Sequence, residues 1–291
     1  MSEYDPRPTE PIGSDGSSRI DVRLSMTSAT LDGVKLLIVT PVDGEWDKAM
    51  CSYNHLQAVA SLMSWSANIG LLPPTRLAYP SDLVRSRSKA VRVARDAGMS
   101  HILWLDNDNI PAPGFLGRML ELNHDWIGCP YPRKKIYWDR LKHVMPEEMP
   151  EWHAYDYAYQ RSSEPGLPVQ SGCMAVDRIA IGCTLTSVRA LSAMWDHFLE
   201  DDWYTDVEVG GVHHETCALF GLLFGEMRTV RGKRFRPLFS EDYSACERYN
   251  VMRAAHPEMG FGPIQMLVSH PADHVGMHLF KGSAEGIVYA R

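Results

Sequence analysis

The sequence has no apolar run long enough to cross a membrane and no cysteine pattern typical of a disulfide scaffold. A spanning helix needs about 20 consecutive apolar residues, and no such stretch occurs among the 291 residues, so we expect no membrane span. The first residues, MSEYDPRPTEPIGSDGSS, lack the apolar core of a secretory signal. The six cysteines are scattered without a Cys-x-x-Cys pair. Free thiols in a reducing cytoplasm are therefore predicted, and a structural zinc site is not.

Excess positive charge is also missing. The net charge is −7 and the pI is about 5.9, which argues against a protein that coats nucleic acid through bulk electrostatics. Two local basic clusters nevertheless stand out, PRKK at 132–135 and RTVRGKRFR at 228–236. Each cluster is either a solvated surface or a patch that binds an anionic partner, and the sequence leaves both interpretations open.

The order of apolar segments predicts an α/β fold with a mixed, mainly parallel sheet, flanking helices and a single domain. Residues 1–30 are rich in Ser, Pro, Asp and Glu and predict a flexible tail. VKLLIVTPV (34–42) is typical of a buried parallel strand, and EWDKAMCSYNHLQAVASLMSW (45–65) has helical spacing. TRLAYP (75–80) predicts a short strand. Alternating strands and helices imply right-handed crossovers within one sheet.

The next segments continue this alternation. SDLVRSRSKAVRVARDAG (81–98) predicts a helix with Ser81 as a possible cap and Gly98 at its end. HILWLDND and DWIGCPYP predict strands, with the helix APGFLGRMLELN between them. In the second half we expect loops and lids over 133–168, then the strand VQSGCMAV and a helix near 187–199.

The stretch HILWLDNDNIPAPGF (101–115) carries the clearest candidate site. Asp106 and Asp108 directly follow an apolar strand, and ligands bind beyond the carboxyl ends of parallel strands. Two carboxylates one residue apart can hold Mg²⁺ or Mn²⁺ and leave positions open for diphosphate oxygens. The alternative is a polar strand end that caps the next helix. The strand before and the helix after favour the metal site.

With its neighbouring motifs, this D-x-D sequence resembles the GT-A-fold glycosyltransferases, and more loosely their small phage-type members, over about residues 34–282. The strand that ends in TPV is similar to the nucleotide-entry strand, which implies donor contacts from Thr40, Pro41 and Asp43. DLVRSRSKAV (82–91) is similar to the helix that precedes the D-x-D strand. There Arg87 takes a donor-binding position, and Ser88 stands where an Asn is expected. Asp106 is also implied to contact the donor.

The resemblance divides the domain (31–291) into a nucleotide-sugar half (31–132) and an acceptor half (133–291). GCPYPRKKIYW (128–138) is similar to the segment that follows the D-x-D helix in phage-type members, and PVQSGCMAV (168–176) is similar to the glycine-containing acceptor loop of the family. The acceptor contacts that they imply are Tyr131, Lys134, Ser171 and Gly172. A glycine tolerated near a strand bulge is the alternative for Gly172.

FSEDYSAC (239–246) resembles the acid pair that lies beneath the acceptor in this family. Chemically, Asp242 is a candidate general base and Glu241 a candidate hydrogen-bond partner. Ser240 followed by two acids is also favourable at a helix N-terminus. The two interpretations are compatible.

SHPADHVGMHLFKGS (269–283) resembles the C-terminal histidine element, which supplies a metal ligand or a diphosphate contact. His274 is the best match, although the sequence does not separate it from His270 and His278. Lys281 could contact the diphosphate as a point charge.

HHETC (213–217) is a weaker candidate. His213 and Cys217 have a spacing that could chelate zinc on a helix, but no second pair of ligands accompanies them. We discount a zinc site there and predict a core helix for TCALFGLLFG.

Together, these features predict a glycosyltransferase (hexosyl- or pentosyltransferase) that uses Mn²⁺ or Mg²⁺ and a nucleotide-diphospho-sugar, with a UDP-sugar favoured. A hydroxymethylated base of phage DNA, such as 5-hydroxymethylcytosine, is one expected acceptor, and a surface glycan, lipid or protein hydroxyl is the other. The expected location is cytoplasmic, in a bacterial host if the chain is phage-encoded. A sugar-phosphate nucleotidyltransferase and a non-catalytic carbohydrate- or DNA-binding module remain as alternatives. The sequence does not give the oligomeric state.

Overall fold

A computed structural model describes residues 33–41, 70–71, 83–141, 154–162, 169–207, 213–231, 233–275, 279–280 and 282. Several predicted features lie outside the described residues: the tail 1–30, the helix 45–65, the strand 75–80, Ser81, Asp43, His278 and Lys281.

The described chain folds into seventeen strands and four α-helices, with 3₁₀ turns at Trp138–Leu141 and Pro257–Met259. The helices are α1 (Leu83–Asp96), α2 (Phe115–Leu122), α3 (Val188–Asp202) and α4 (Glu241–Ala255). The strands are β1 Lys35–Val39, β2 Gly70–Leu71, β3 His101–Leu105, β4 Asn109–Ile110, β5 Trp126–Gly128, β6 Pro132–Ile136, β7 Tyr155–Tyr157, β8 Tyr159–Arg161, β9 Cys173–Ile179, β10 Cys183–Ser187, β11 Trp203–Val207, β12 His213–Cys217, β13 Arg228–Val230, β14 Lys233–Phe235, β15 Gln265–Leu267, β16 Asp273–Val275 and β17 Leu279–Phe280.

A mixed sheet of eight strands forms the centre of the fold, in the order β2-β1-β3-β10-β5-β15-β9-β8. Pairing is parallel for β1 with β2, β1 with β3, and β5 with β15, and antiparallel elsewhere. Only β10 and β9 therefore run against the other strands of this sheet. The prediction of an α/β fold with a mixed, mainly parallel sheet is confirmed at this level.

Side chains that alternate along the strands bury both faces of the sheet. In β3, Ile102 and Trp104 belong to one apolar cluster, whereas Leu103 and Leu105 belong to the other. The first cluster includes residues of α1, α3 and α4, and the second includes residues of α2. Helices thus cover both faces, which is why the strands are apolar without interruption.

Helix ends follow local signals in the sequence. Gly98, two residues after α1, has a φ of 61°, as expected for a glycine that stops a helix. The hydroxyl of Ser187 accepts from the backbone N–H of Ala190 at the start of α3. The predicted helices 81–98, 112–123 and 187–199 are confirmed as α1, α2 and α3, with ends that differ by a few residues.

The helix predicted for TCALFGLLFG is wrong. Thr216 and Cys217 end strand β12, which pairs with β11, and a turn follows at Leu219 and Phe220. The side chains of Cys217, Leu219 and Phe220 are buried nevertheless. A buried turn therefore has the same apolar sequence pattern here as a core helix would. The segment 133–168 also contains more strand than expected, because β6, β7 and β8 fall in its described part.

No helix among the described residues is both long and apolar enough to cross a bilayer.

Candidate active site

The predicted site residues gather at one edge of the central sheet, where the parallel strands end. Thr40 and Pro41 follow β1, and Asp106 follows β3, its parallel neighbour. The two strands that follow β1 in sequence lie on opposite sides of it in the sheet, β2 on one side and β3 on the other. A reversal of this kind opens a crevice between the two carboxyl ends, where α/β proteins bind ligands. Thr40 is buried and Pro41 is half-buried at the carboxyl end of β1.

Backbone contacts hold the turn that carries the D-x-D motif. The N–H of Asp106 donates to the carbonyl of Gly182 at 2.8 Å, and the N–H of Asn109 donates to the carbonyl of Asp106 at 3.2 Å. The buried side-chain amide of Asn109 also donates to Gly182, at 3.2 Å. Gly182 immediately precedes β10, so an antiparallel neighbour fixes the end of β3.

The two aspartates of the motif have different partners. Asp106 faces Arg87 on α1, with both carboxylate oxygens within 3.3 Å of the guanidinium. Asp108 faces Lys134 on β6, at 2.5 Å, and His274 on β16, at 3.4 Å. The motif therefore joins two groups of polar side chains.

Arg87 is the centre of the first group. Its side chain is 1% exposed and forms ion pairs with Asp106 at 3.1 Å, with Glu241 at 3.5 Å and with Asp242. Burial alone would lower the pKa of Arg87, but the three carboxylates outweigh burial and raise it. A permanently charged guanidinium thus joins the D-x-D motif to the acid pair at the start of α4, 155 residues away from Arg87 in sequence.

The acid pair also stabilises the start of α4. The hydroxyl of Ser240 accepts from the N–H of Tyr243 at 3.4 Å, and Glu241 and Asp242 occupy the first helical turn. Negative side chains there interact favourably with the helix dipole. The predicted capping role is confirmed, and the catalytic role stays a prediction.

Asp242 has the properties of a general base. Burial raises its pKa, and the charges of Glu241 and Asp106 raise it further, while Arg87 and a hydrogen bond from the N–H of Ile181 lower it; the result is a pKa of about 6. A carboxylate with a pKa near the working pH accepts protons efficiently yet releases them. Burial likewise raises the pKa of Asp106.

The second group is built on pairing between β4 and β16. His274 lies opposite Asn109 in this pairing, and the N–H of Val275 donates to the carbonyl of Asp108 at 2.7 Å. The histidine element is therefore attached directly to the D-x-D turn. Nδ1 of His274 donates to the carbonyl of Pro132 at 2.8 Å, so Nε2 faces Asp108. Partial burial raises the pKa of Asp108, but contacts with His274 and Lys134 lower it to about 2.

These residues suit a divalent cation in part. Histidine ligands commonly donate their second ring nitrogen to a backbone carbonyl, as His274 does, and a carboxylate oxygen faces its Nε2. Asp106 points to Arg87 instead, and the described residues contain no group of three or more His, Cys, Asp or Glu that could hold a metal ion. A cation at Asp108 and His274 would need its other ligands from water, from a diphosphate or from a reoriented Asp106.

Strand β6 places two basic side chains over the site. Lys134 contacts Asp108, and Arg133 donates to the hydroxyl of Tyr243, next to Asp242, at 3.3 Å. The acceptor role predicted for Lys134 is untested. Its observed partner is the carboxylate of Asp108. The ammonium of Lys134 therefore occupies the position at which a metal ion would contact that carboxylate.

Replacing Lys134 with methionine should strengthen the binding of Mn²⁺ to the protein without donor. The ammonium competes for Asp108, and its removal should lower the apparent dissociation constant by roughly tenfold, equivalent to about 1.4 kcal/mol. Calorimetric titration with MnCl₂ measures this change. Lys135→Met is the matched control, because Lys135 lies over the ring of Tyr137 at 4.4 Å. Equal Mn²⁺ affinity in the two variants would contradict competition at Asp108.

Tyr131 lies between the two groups. It is buried, its hydroxyl accepts from the N–H of Gly182 at 3.2 Å, and its ring meets that of His274 edge-on at 5.0 Å. Burial raises the pKa of Tyr131 well above its ordinary value, with further contributions from Asp242 and Asp106. The predicted acceptor contact would therefore be made by a neutral phenol.

Gly182 and Asn109 belong to the site although sequence reasoning passed over them. A Cβ on Gly182 would lie 2.5 Å from the amide nitrogen of Asn109, 2.6 Å from Asp106 and 2.8 Å from Tyr131. Only glycine leaves room for these contacts. A glycine inside an apolar strand pattern, IAIGCT, was the available signal.

Ser171 and Gly172 lie at the same edge but beside α2. Both have positive φ, 52° and 79°, in the turn before β9. The carbonyl of Ser171 accepts from Arg118 at 2.7 Å, and that of Gly172 accepts from Val268 at 2.9 Å. No contact described here joins them to the carboxylates, and their acceptor role stays a prediction.

The last candidates from the sequence are His270, Ser88 and the pair His213 and Cys217, and the structure places each in different surroundings. His270 is buried beside Ser269 at 2.9 Å, where burial lowers its pKa, so His274 is the described histidine that faces the motif. Ser88 is fully buried and its hydroxyl has no hydrogen-bond partner among the described residues. His213 is exposed while Cys217 is buried on the same strand, and four strand residues span about 13 Å. The spacing that suits zinc on a helix is therefore lost.

Comparisons with known proteins do not show a family for this chain. No family model matches the chain, and no curated protein matches it. Among solved structures, one described as "Crystal Structure of A197 from STIV" is similar over 85% of this chain and 93% of that chain, with 11% identity and a TM-score of 0.36.

Proposed function

We propose that this protein is a metal-dependent glycosyltransferase of GT-A type that transfers a sugar from a nucleotide-diphospho-sugar to an acceptor hydroxyl. One observation carries the proposal. Arg87 joins Asp106 of the D-x-D turn to Glu241 and Asp242 at the start of α4. A candidate diphosphate-side carboxylate and a candidate base therefore meet at the sheet edge where ligands bind.

In this proposal, Asp108 and His274 hold the cation, with Asp106 close by. A bound Mn²⁺ or Mg²⁺ would offset negative charge on the departing diphosphate. Lys134, released from Asp108, and Arg133 add positive charge on the same side. Thr40 and Pro41 line the floor of the nucleotide crevice.

Asp242 acts on the acceptor. The acceptor oxygen forms a bond to the anomeric carbon while the bond from that carbon to the diphosphate oxygen breaks, and the electron pair leaves with the nucleoside diphosphate. The hydroxyl proton passes to Asp242 if the reaction inverts configuration. If configuration is retained, Asp242 orients the acceptor, with Glu241 as its hydrogen-bonding neighbour.

Arg87 takes a positioning role rather than direct donor contact. Its guanidinium is enclosed by carboxylates, and only 1% of the side chain is exposed, so a diphosphate would reach it only after a rearrangement. Fixed in this way, it holds Asp106 and Asp242 at a constant separation.

Stabilisation by ligands tests the donor class. Thermal unfolding with UDP-, GDP- and CDP-sugars, each with and without Mn²⁺, should show a rise in Tm for one nucleoside diphosphate only when Mn²⁺ is present. We expect UDP-sugars to give that rise. Stabilisation by a nucleoside triphosphate and a sugar phosphate would instead favour a nucleotidyltransferase, and no response to any nucleotide would favour a binding module.

Asp108→Asn should reduce sugar transfer by at least 100-fold, because it removes the carboxylate that faces His274. The Tm should stay within a few degrees, since Asp108 is partly exposed. Transfer is measured as nucleoside diphosphate released with Mn²⁺ present. Asp96→Asn, an exposed change at the end of α1, is the control. Undiminished turnover in EDTA would exclude the metal role.

A further inference from the structure

The second basic cluster forms a projecting two-stranded ribbon. Strands β13 and β14 pair across residues 228–235, and pairing continues toward the body of the protein through Phe224 with Leu238. Every residue from Glu226 to Arg236 whose burial is described is exposed.

The ribbon carries its positive charge on both faces and at its tip. Cross-strand pairs are Arg228 with Phe235 and Thr229 with Arg234. Neighbouring pairs point to opposite faces, which places Arg228 with Lys233 on one face and Arg234 with Arg236 on the other. Arg231 forms the turn, with a φ of 50°. Against five cations, residues 223–239 contain one acid, Glu226, in a chain of net charge −7.

The base of the ribbon is joined to the candidate active site. Phe239 ends the ribbon, Ser240 caps α4, and Asp242 follows. The N–H of Leu223 donates to the hydroxyl of Ser244, one turn into α4, at 3.0 Å. The base of the ribbon is thus fixed to the start of α4, where Asp242 lies.

We propose that this ribbon docks duplex DNA, with its two arms in the major groove, and presents a base to Asp242. The major groove admits a two-stranded ribbon, and both of its walls are lined with phosphate. Cations on both faces and at the tip suit those two walls. The major groove of A-form RNA is too deep and narrow for the same contact. A modified base that carries a hydroxyl would then reach the site by extrusion from the duplex.

A lipid surface fits the ribbon less well. Leu222, Phe224 and Leu238 are about half exposed or more, and apolar side chains next to cations also occur in membrane-binding elements. Here, however, these three lie at the base of the ribbon, and Met227 and Phe235, which are also exposed, lie along its arms, whereas the tip that would enter the bilayer carries Arg231 and Lys233. The arrangement of charge therefore favours DNA.

Only the choice of acceptor rests on the proposed transferase activity; the binding step stands by itself. Anisotropy of a fluorescein-labelled duplex of two helical turns, in EDTA and without donor, should show salt-dependent binding by the full-length protein. Lys233→Gln/Arg234→Gln should weaken binding at least tenfold. It should also reduce the slope of log K against log salt by up to about 2, since each phosphate contact contributes about 0.9.

Lys35→Gln/Arg95→Gln is the matched control, because it removes the same charge at the opposite edge of the sheet and should leave the slope unchanged. The ribbon variant should keep the Mn²⁺-dependent rise in Tm with nucleotide-sugar, which separates failure of DNA docking from failure of transferase function. No binding by the wild type, or equal slopes in the ribbon and control variants, would overturn the proposal. Binding to phosphatidylglycerol vesicles but not to the duplex would overturn it in favour of a membrane.

Discussion

Replacing Arg87 with methionine is expected to lower the free energy of unfolding by about 3–5 kcal/mol, the usual cost of breaking a buried ion pair by removing one partner. Methionine fills a similar volume but leaves the carboxylates of Asp106, Glu241 and Asp242 facing one another without compensation. Urea unfolding followed by far-UV circular dichroism measures the loss. Nucleotide-sugar transfer should fall with it, because the distance between the D-x-D turn and the acid pair is no longer fixed.

Arg92→Met is the control for loss of a largely buried arginine from the same helix. Arg92 is 9% exposed and lies 3.9 Å from Asp96, which is itself exposed. This substitution should cost less, since water can solvate Asp96 when its partner is gone.

A second substitution separates electrostatic repulsion from loss of packing. Adding Asp242→Asn to Arg87→Met removes one of the three opposed charges and should recover roughly 1–3 kcal/mol, a coupling typical of residues in one network. If Arg87→Met does not fold, the double variant should still give soluble protein. A loss no greater than that of Arg92→Met, or no recovery in the double variant, would contradict the role given to Arg87.

Local patterns predicted the frame of the fold because each pattern matches a single physical arrangement. The aliphatic run of β1 and the strand HILWL could be satisfied only by burial on both faces, and helices cover both faces. Gly98 marked the end of a helix through its backbone freedom. By contrast, TCALFGLLFG is apolar at helical spacing, yet pairing of β12 with β11 took its first residues into a strand.

The sequence indicated which residues belong to the candidate site, but not which of them contact one another. Asp106 and Asp108 follow a strand, as the sequence indicated, and His274 lies beside Asp108, while their roles stay predictions. Their neighbours come from distant parts of the chain, so only the tertiary structure shows that Arg87 joins Asp106 to Asp242 and that Lys134 occupies Asp108. Gly182 is a further case: its role is to be small between three side chains, which sequence alone does not reveal.

This division of partners changes how the D-x-D motif works in the proposed mechanism. Asp106 is held by the buried guanidinium of Arg87, which stays protonated, whereas Asp108 contacts Lys134 and His274 near the surface. Asp106 therefore belongs to the rigid part of the site. Asp108 is the aspartate at which a cation could replace Lys134. Substitutions of the two should accordingly differ, with larger losses of stability at Asp106.

Asp242→Asn is expected to reduce kcat for an inverting transfer by about 10²–10⁴-fold, the usual contribution of a general base. In the wild type, transfer should fall as the pH drops below about 6, because the pKa of Asp242 is raised to about 6 and only the ionised carboxylate accepts a proton. The residual activity of the variant should lack this acid limb. The measurement is kcat/KM against pH at saturating Mn²⁺, with Asp96→Asn as the control.

Asp242→Asn should also change the pH dependence of the free energy of unfolding. In the wild type, stability should fall as the pH rises, whereas transfer should increase. A carboxyl with a raised pKa in the folded state holds its proton between about pH 4 and 6, where the unfolded chain has released it, so folding becomes less favourable as the pH rises through that window. The wild type should lose up to about 3 kcal/mol more than Asp242→Asn does between those pH values. An unchanged pH profile of transfer together with this stability difference would mean that Asp242 is buried and perturbed but is not the base. Parallel pH dependence of stability in both proteins would show that Asp242 does not titrate there at all.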